Sequence, residues 1–561
     1  MSHAALKQQA QAALFQTGSG YETLPLSSWA DSVLHLLLVD HQNCMSEETT
    51  SAATSDNAAK TSAGSSIEST EGNPNSGNAD IPTHAGLQSE AEEPASGRHL
   101  AFVLIIVLPL LMLMPHVIAL ALPSSWLWLS DGMAWFGAIL TLLMMTVYAV
   151  RHYSFALHRL FFDQRQPYLD ISTAHWPAIT VLVMAHNEAR VIEGSLLALL
   201  NSDYPADRLT IKPVNDRSTD NTGAILDSLA ARFPGRIHPL HRREGTGGKP
   251  AALAWACEQV SDSIIVIFDA DYLPGKGLLK QLVSPFFDPE VGATMGRVVP
   301  LNARSNLLTR TLALERCAGY QISQQARQNL QLTAQYGGTV GAVRTAALQQ
   351  VGGWSIDCLA EDTDLTIRLR CAGWRVVYQN RAECYEEVPE EWQVRMRQLS
   401  RWTQGHHHVF LRQWATVVNC KRLRPVERLD AMLLLSVFLL SPITLLGWST
   451  CLYLYFRGDN TLSASLALSL SMMMYCGMGN FSSFFEISAG AILDRSRSSL
   501  IVMPFMILNF LVSTLIMSRG IFKQSWNTLA GKQGIWIKTK RYRKPVEQIA
   551  RSSETPEGGS V

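Results

Sequence analysis

A run of 23 residues without a formal charge, from Leu100 to Leu122, restricts the fold of this chain more than any other feature. About 20 apolar residues are enough for a helix to span the hydrocarbon of a bilayer. A second apolar run extends from Gly132 to Val150. Tryptophans lie between and beside the two runs, where membrane proteins carry aromatic belts. The sequence therefore predicts two transmembrane helices within residues 98–152.

Basic residues after the second run indicate the orientation of the chain. Arg151, Arg159 and Arg165 follow it closely, and the positive-inside rule then places the next segment in the cytoplasm. We therefore expect an integral protein of the plasma or inner membrane, with the bilayer as a partner. Apolar sequence returns after residue 430, and we assign transmembrane helices within 429–520, in blocks near 431–456, 461–490 and 499–518.

The last segment of the chain limits the number of spans. Residues 521–544 carry seven Lys or Arg and no acid, so the positive-inside rule places them in the cytoplasm. Two spans before a cytoplasmic domain and three after it would place them outside. The sequence thus predicts four to six spans, followed by a basic tail, residues 521–561.

The first part of the chain has the composition of a disordered segment. Residues 46–97 contain no aromatic side chain and carry nine acids against one Lys. Such a stretch buries too little apolar area to offset its ordering entropy. We predict that residues 1–97 form a disordered acidic tail. The whole chain has 47 basic and 47 acidic residues, a balance that gives no argument for a nucleic-acid partner.

Between the apolar regions, the pattern changes to that of an α/β domain. From 177 to 388, β-branched runs of strand length alternate with amphipathic helical stretches, which is typical of a parallel sheet. We predict an α/β domain over 170–388, inserted between transmembrane helices. An amphipathic interface segment, 389–428, follows it.

Acidic residues follow three of the predicted strands. Glu188 follows the first, Asp216 the second, and Asp269 and Asp271 follow a later one. Ligands of such sheets bind at the carboxyl ends of the strands. Asp269 and Asp271 are two apart on extended chain, so both can point to one side. Their charges favour Mg²⁺ or Mn²⁺ shared with a diphosphate, although one acidic triplet alone is typical of a solvated turn.

Lys249 and the pair Glu361 and Asp362 can each be interpreted either as site residues or as common surface and helix-capping residues. Lys249 ends a glycine-rich loop that lacks phosphate-loop spacing, so it either reaches a nucleotide phosphate at a helix start or is solvated. Glu361 and Asp362 precede a predicted helix, where acids commonly act as caps.

A later helix carries a polar face. Gln398, Arg401 and Trp402 are spaced i, i+3 and i+4, and therefore share a face. Arg can neutralise a leaving diphosphate, and Trp can stack on a sugar ring; the other interpretation is membrane anchoring. The triplet His406–His408 is predicted to be polar helix surface, because consecutive helical residues point about 100° apart and do not bind one metal ion.

Together these residues resemble a known signature. The order Asp216, Asp269-x-Asp271, Glu361-Asp362 and Gln398-x-x-Arg401-Trp402 is similar to the D, DxD, ED and QxxRW motifs of family 2 glycosyltransferases. Among these, the chain resembles membrane-embedded processive synthases of cellulose, poly-N-acetylglucosamine and mannan, over about residues 100–545. Ala360 departs from the Thr of many cellulose synthases. The resemblance implies a GT-A fold and inverting hexosyl transfer from a nucleotide-diphosphate sugar.

The resemblance also implies roles for the residues. Asp362 would be the general base, beside Glu361. The nucleotide sugar would contact Glu188, Asp216, Lys249, Asp269, Asp271 and Arg401. Asp271, with Asp269, would hold Mg²⁺ or Mn²⁺. Gln398, Arg401 and Trp402 would bind the diphosphate and the acceptor, and the segment Trp536–Arg541 would close over the nucleotide.

The resemblance implies synthesis of a growing β-linked polysaccharide from a UDP-sugar, coupled to the passage of the glycan through the membrane. It also allows an accessory export subunit as a partner. Asn480 and Glu486 would either line that passage or bond between helices. Two alternatives are a non-processive transferase that adds one sugar to a lipid carrier, and a transporter with a degenerate cytoplasmic domain.

Overall fold

The computed structural model describes residues 95–121, 123–168, 171, 175–245, 248–457, 461–472, 481–531 and 542. The predicted acidic tail, apart from 95–97, lies outside these residues. Asn480 and the segment Trp536–Arg541 also lie outside them.

Two long helices precede the α/β domain. They are α1 (Ala95–Ala121) and α2 (Leu127–Phe161). Helix α2 continues nine residues beyond the predicted end at 152 because its last turns are buried against the domain. Phe155 packs there with Ile322, and Arg159 Nε donates to the backbone oxygen of Gln321 at 3.0 Å.

The central sheet has eight strands in the order β3-β2-β1-β4-β7-β6-β8-β5. Strand β1 is buried along its whole length, and its side chains alternate between the two apolar layers that cover the sheet. The strands are β1 (Ile179–Ala185), β2 (Leu209–Asp216), β3 (Leu240–Arg242), β4 (Ile264–Asp269), β5 (Leu273–Pro274), β6 (Val291–Pro300), β7 (Gly341–Arg344) and β8 (Arg375–Glu386).

The sheet is mixed, whereas the sequence pattern predicted a parallel one. Strands β1 to β4 are parallel, but β7 is antiparallel to both β4 and β6. The segment before β7 explains this difference. It passes along the carboxyl ends of the other strands, where Thr339 Oγ1 accepts from the Asp269 backbone N–H at 3.0 Å. The chain therefore enters β7 from that edge and runs in the opposite direction.

Helices cover both faces of the sheet. A π-helical segment, Ala318–Gln324, joins two of them, α7 and α8. The helices of this region are α3 (Ile192–Leu200), α4 (Thr222–Arg232), α5 (Lys249–Cys257), α6 (Leu278–Val283), α7 (Leu307–Cys317), α8 (Gln325–Asn329), α9 (Thr345–Gln350) and α10 (Glu361–Ala372).

In the residues that the structure describes, six more helices follow the sheet. The predicted interface segment contains a long helix, and the last helix continues nine residues into the predicted basic tail. They are α11 (Trp392–Asn419), α12 (Pro425–Leu435), α13 (Leu440–Arg457), α14 (Thr461–Met472), α15 (Phe481–Leu493) and α16 (Met503–Leu529).

Four helical segments in the described part of the chain are long and apolar enough to cross a membrane. They are Gly97–Ala121, Ser124–Phe161, Val437–Arg457 and Ser499–Leu529. Helix α15 is apolar but too short to belong to this group. Two of these segments precede the α/β domain and two follow it.

Charged residues attach helix α15 to helix α2 and to the α/β domain. Glu486 is buried, accepts from Ser323 Oγ at 2.5 Å and forms an ion pair with His152. Asp494, just beyond the helix, accepts from Gln321 Nε2 at 3.1 Å and pairs with Arg297. Of the two roles expected for Glu486, the structure supports bonding between helices.

The prediction that His406–His408 is polar helix surface is wrong for two of the three residues. His407 and His408 are 1% and 9% exposed, because α16 packs along α11. His407 Nε2 lies 2.8 Å from Ser525 Oγ on α16. Burial lowers the pKa of His407 to about 3, so this imidazole is neutral.

Replacing His407 by Gln should reduce the acid sensitivity of the fold. Unfolded chain takes up a proton here below about pH 6.5 and the folded protein does not, so stability falls as the pH drops below that value. The loss between pH 7 and 5 is about 2 kcal/mol. Thermal unfolding in detergent should show a smaller drop in Tm for His407→Gln than for wild type. The exposed His238 supplies a control, and equal drops in wild type, His407→Gln and His238→Gln would contradict the argument.

Candidate active site

The predicted acidic clusters lie side by side at one edge of the sheet. Strand register pairs Ala185 of β1 with Asn215 of β2, and Met184 of β1 with Asp269 of β4. The residues that follow these three strands therefore share the carboxyl edge, as the sequence predicted. In folds of this class, that edge is where ligands bind.

Asp216 is held by two arginines that sequence reasoning missed. Its Oδ1 atom accepts from Arg242 at 2.7 Å and from Arg217 at 3.0 Å. Asp216 and Arg242 are paired in register across β2 and β3, so only the strand pairing identifies this contact. Glu188 is also buried beside this edge, and its backbone N–H donates to Thr222 Oγ1 at 2.9 Å.

Lys249 points into the site, which excludes the solvated interpretation. Its Nζ lies 2.6 Å from Asp269 Oδ1 and donates to the backbone oxygen of Gly338 at 2.8 Å. Burial works to lower the pKa of Lys249, but the charges of Asp269, Glu361 and Asp362 together outweigh it and raise that pKa. A fixed positive charge therefore lies among three carboxylates.

Asp271 lies deeper than Asp269, and its side chain is 1% exposed. In the part of the chain that the structure describes, no three His, Cys, Asp or Glu residues cluster as a metal site would require. Two carboxylates are nevertheless a suitable set for Mg²⁺ or Mn²⁺, since these ions commonly take one or two carboxylates and complete their shell with substrate phosphates and water.

Glu361 and Asp362 begin α10 next to the Lys249–Asp269 pair. Burial, and then the charge of Asp362, raise the pKa of Glu361 to about 7. Asp362 Oδ1 accepts from the backbone N–H of Thr363 at 2.6 Å, so the carboxylate also caps its own helix. Gly338, with a φ of 70°, lies against it, and a Cβ there would meet the Asp362 Cβ at 3.1 Å.

Helix α11 docks on the loop that precedes Glu361. Gly405 lies against Ala360, where an added Cβ would be 3.2 Å from the Cβ of Ala360. One residue later, His406 Nδ1 lies 3.2 Å from Thr363 Oγ1. Two small residues thus allow the helix with the Gln-x-x-Arg-Trp motif to pack beside the start of α10, where Glu361 and Asp362 lie. This close contact explains why a small side chain is present at position 360.

Gln398 and Trp402 line one cavity of about 200 Å³. Arg395 donates to Gln398 Oε1 at 3.1 Å, and the guanidinium carbons of Arg316 and Arg395 lie 5.1 and 5.5 Å from the centre of the Trp402 ring. Arg401 is half-buried on the same helix but is not part of this lining. The other lining residues are Leu312, Glu315, Val388 and Pro389.

Sequence reasoning missed both arginines of this cavity. The spacing contains a signal for Arg395, which is three residues before Gln398 on the same helix. Residue spacing gives no signal for Arg316, because that residue comes from a different helix, α7.

Comparison with known proteins identifies this part of the chain. Residues 177–405 match the family described as glycosyltransferase like family 2. This segment is therefore similar to the glycosyltransferase domains of that family. Its mixed sheet and strand-end site agree with the GT-A-like fold that the motifs implied.

Two curated relatives extend this comparison. Over 269 residues the chain is 34% identical to "Probable glycosyltransferase YdaM" of Bacillus subtilis, covering 48% of this chain and 64% of that protein. Over 246 residues it is 34% identical to the beta-monoglucosyldiacylglycerol synthase of Synechocystis sp., covering 44% of this chain and 51% of that protein. The chain thus spans between about half and two thirds of these relatives.

The solved structures that the chain matches are more distant in sequence. The mannosyltransferase PcManGT from Pyrobaculum calidifontis, in complex with GDP-Man and Mn²⁺, has a TM-score of 0.46 and 22% identity, covering 64% of this chain and 97% of that chain. Residues 1–349 of S. aureus TarS in complex with UDP have a TM-score of 0.34 and 14% identity, covering 58% and 90%. The similarity to family 2 glycosyltransferases therefore rests on the sequence matches.

Proposed function

We propose that this protein transfers a hexose, with inversion, from a nucleotide-diphosphate sugar to an acceptor hydroxyl. One observation carries the proposal. The Lys249–Asp269 pair and the carboxylates Glu361 and Asp362 meet at the carboxyl edge of the sheet. A positive group for a diphosphate and a base for a hydroxyl are the two elements that such a transfer needs.

Asp362 is the general base in this mechanism. It accepts the proton of the acceptor hydroxyl, whose oxygen then attacks the anomeric carbon of the donor. The bond from that carbon to the diphosphate oxygen breaks, and the nucleoside diphosphate leaves. Lys249, which carries a fixed positive charge beside Asp362, balances the charge that develops on the leaving group.

The remaining edge residues bind the two substrates. Glu188 and Asp216, at the ends of β1 and β2, contact the nucleoside, and Arg401 contacts the diphosphate. Asp269 and Asp271 would hold Mg²⁺ or Mn²⁺, which would supply further positive charge to the diphosphate. The acceptor enters the cavity that Gln398 and Trp402 line.

The acceptor cavity lies next to the helices that can enter a membrane. Its wall is formed in part by α7, through Leu312 and Arg316. The other side of the same helix packs on α15 and α16, where Leu314 meets Ile487 and Met506. This arrangement supports an acceptor that is handled at the membrane surface.

We further propose that the acceptor is a growing β-linked polysaccharide, and that its synthesis is coupled to its passage through the membrane. In this proposal the catalytic domain is cytoplasmic, and four spans bring the end of the last span, at Leu529, to the same side, which agrees with the positive-inside rule for the basic residues that follow it in the sequence. A hydrophilic glycan needs such a protein passage, because unpaired polar groups are costly in hydrocarbon. An accessory export subunit is compatible with this arrangement.

A second candidate acceptor is a lipid carrier that receives one sugar. The name of the Synechocystis relative, a glucosyldiacylglycerol synthase, favours it. Both candidates use the same donor chemistry and differ in the size of the product.

The decisive experiment supplies membranes that contain the protein with UDP-glucose, UDP-N-acetylglucosamine and GDP-mannose separately. We expect one donor to give long polymer that a linkage-specific glycosidase digests. Formation of a glycolipid that carries a single sugar would contradict the proposal of a polysaccharide acceptor and would support the lipid carrier as acceptor. If none of the donors transfers sugar, while a membrane extract from the same cells is competent with another enzyme, the proposed function is wrong.

Glu361 should give the reaction an ionisation near neutral pH. Its pKa is raised to about 7 by burial and by Asp362, so it becomes negative as the pH passes through 7. That charge stabilises the proton that Asp362 accepts, and turnover should rise over this range. Glu361→Gln should abolish the rise in initial rates measured between about pH 5.5 and 8.5. The exposed Glu258 provides the control, and a rise that persists in Glu361→Gln would assign it to another group.

A further inference from the structure

Trp402 is held by one charged group from α7 and by another from its own helix, α11. The guanidinium groups of Arg316 and Arg395 lie over its ring. Each guanidinium is paired with a carboxylate at 2.7 Å, Arg316 with Glu386 and Arg395 with Glu315. The cavity lining therefore has nearly balanced charge, and the position of Trp402 depends on where these two ion pairs place the arginines.

Glu386 has a second partner on the donor side of the site. Its Oε2 atom accepts from the hydroxyl of Tyr272 at 2.7 Å, while Oε1 pairs with Arg316. Glu386 is 6% exposed and Tyr272 is 7% exposed. Tyr272 directly follows Asp271 in the turn that leads to β5, and β5 pairs with the end of β8 where Glu386 lies.

These contacts form a continuous path from the donor side to the acceptor side. It runs from Asp271 through Tyr272, Glu386 and Arg316 to Trp402. Buried polar groups are costly to leave without their partners. A shift of the Asp271 turn therefore has to be followed by Glu386 and by the arginine over the Trp402 ring.

We propose that Glu386 is a positioning residue that couples the diphosphate end of the site to the acceptor cavity. This inference rests on the proposed function, because it takes Asp271 as a donor contact and Trp402 as an acceptor contact. Glu386 touches neither substrate. It keeps Arg316 and Trp402 in place when the donor is bound, so that the acceptor hydroxyl rather than water receives the sugar.

The first test compares the sugar incorporated into product with the nucleoside diphosphate released. Glu386→Gln keeps the shape of the side chain but loses the charge that holds Arg316. We expect sugar incorporation to fall roughly tenfold, with a smaller fall in diphosphate release, so that the ratio drops while the donor KM stays near the wild-type value. Loss of stability alone would lower both quantities together and leave the ratio unchanged.

Glu383→Gln is the matched control, since Glu383 lies on the same strand, pairs with Arg297 at 3.0 Å and is 39% exposed. It should keep the wild-type ratio. A Glu386→Gln ratio equal to that of Glu383→Gln would overturn the proposal.

A second test does not depend on activity. Tyr272→Phe and Trp402→Leu, separately and together, should lower Tm in a non-additive way in the wild-type background, because one network joins them. In a Glu386→Gln background the two shifts should become additive. Additive shifts in both backgrounds would overturn the coupling. If wild type transfers no sugar at all, the proposed function fails, and this melting cycle still decides whether the coupling exists.

Discussion

Asp362→Asn should lower turnover by about 10²–10⁴-fold while donor affinity stays close to that of wild type. Asn has nearly the same shape and its carbonyl can still accept from the Thr363 N–H, so α10 should keep its cap. It cannot take the proton of the acceptor hydroxyl. Turnover measured with radiolabelled donor, and donor affinity measured by calorimetry, separate the two effects.

The matched control for this variant is Asp357→Asn. Asp357 precedes the same helix and pairs with Arg412 at 3.1 Å, away from the Lys249 ammonium. It should retain most of the activity. Substantial product formation by purified membranes of Asp362→Asn would remove Asp362 from the role of base.

Asp271→Ala should abolish the dependence of donor binding on a divalent cation. If Asp271 holds the ion beside the diphosphate, its loss should also lower kcat/KM by about 100-fold or more. Donor affinity is best measured with added Mg²⁺, with added Mn²⁺ and with a chelator present. Wild-type affinity should increase with either ion, and the affinity of the variant should not respond.

Because Asp271 is buried, the isosteric Asp271→Asn should be measured beside it, so that a cavity left by Ala is not mistaken for loss of the ion. Asp207→Asn is a control, because that side chain is 78% exposed and lies before the amino end of β2, away from the carboxyl ends of the strands. A variant at 271 whose donor affinity still responds to the ion as wild type does would contradict the assignment.

The sequence located the strand-end site because its signals are local. Apolar runs that end in Asp216, Asp269 and Asp271 indicate strands, and right-handed crossover connections bring the ends of parallel strands to one edge. The helix that carries Gln398 and Trp402 was likewise predicted from residue spacing. The relative positions of these residues follow from rules that need no knowledge of distant contacts.

The helix boundaries were less predictable, because packing decides them. Helix α2 continues past 152 because Phe155 packs with Ile322. The burial of His407 required α16 to pack along α11, with Ser525 opposite the imidazole. The residue pattern of α11 alone does not show that Ser525 of another helix covers His407. The triplet His406–His408 was therefore predicted to be exposed.

By itself, the sequence predicted the α/β domain, the acidic residues that follow its strands and the apolar segments that are long enough to cross a membrane. The tertiary structure decided which charges meet. It paired Asp216 with Arg242, brought Lys249 to Asp269, and set Arg316 between Glu386 and Trp402. These contacts join residues far apart in the chain, and only the complete fold brings them within the few ångströms over which hydrogen bonds and ion pairs act.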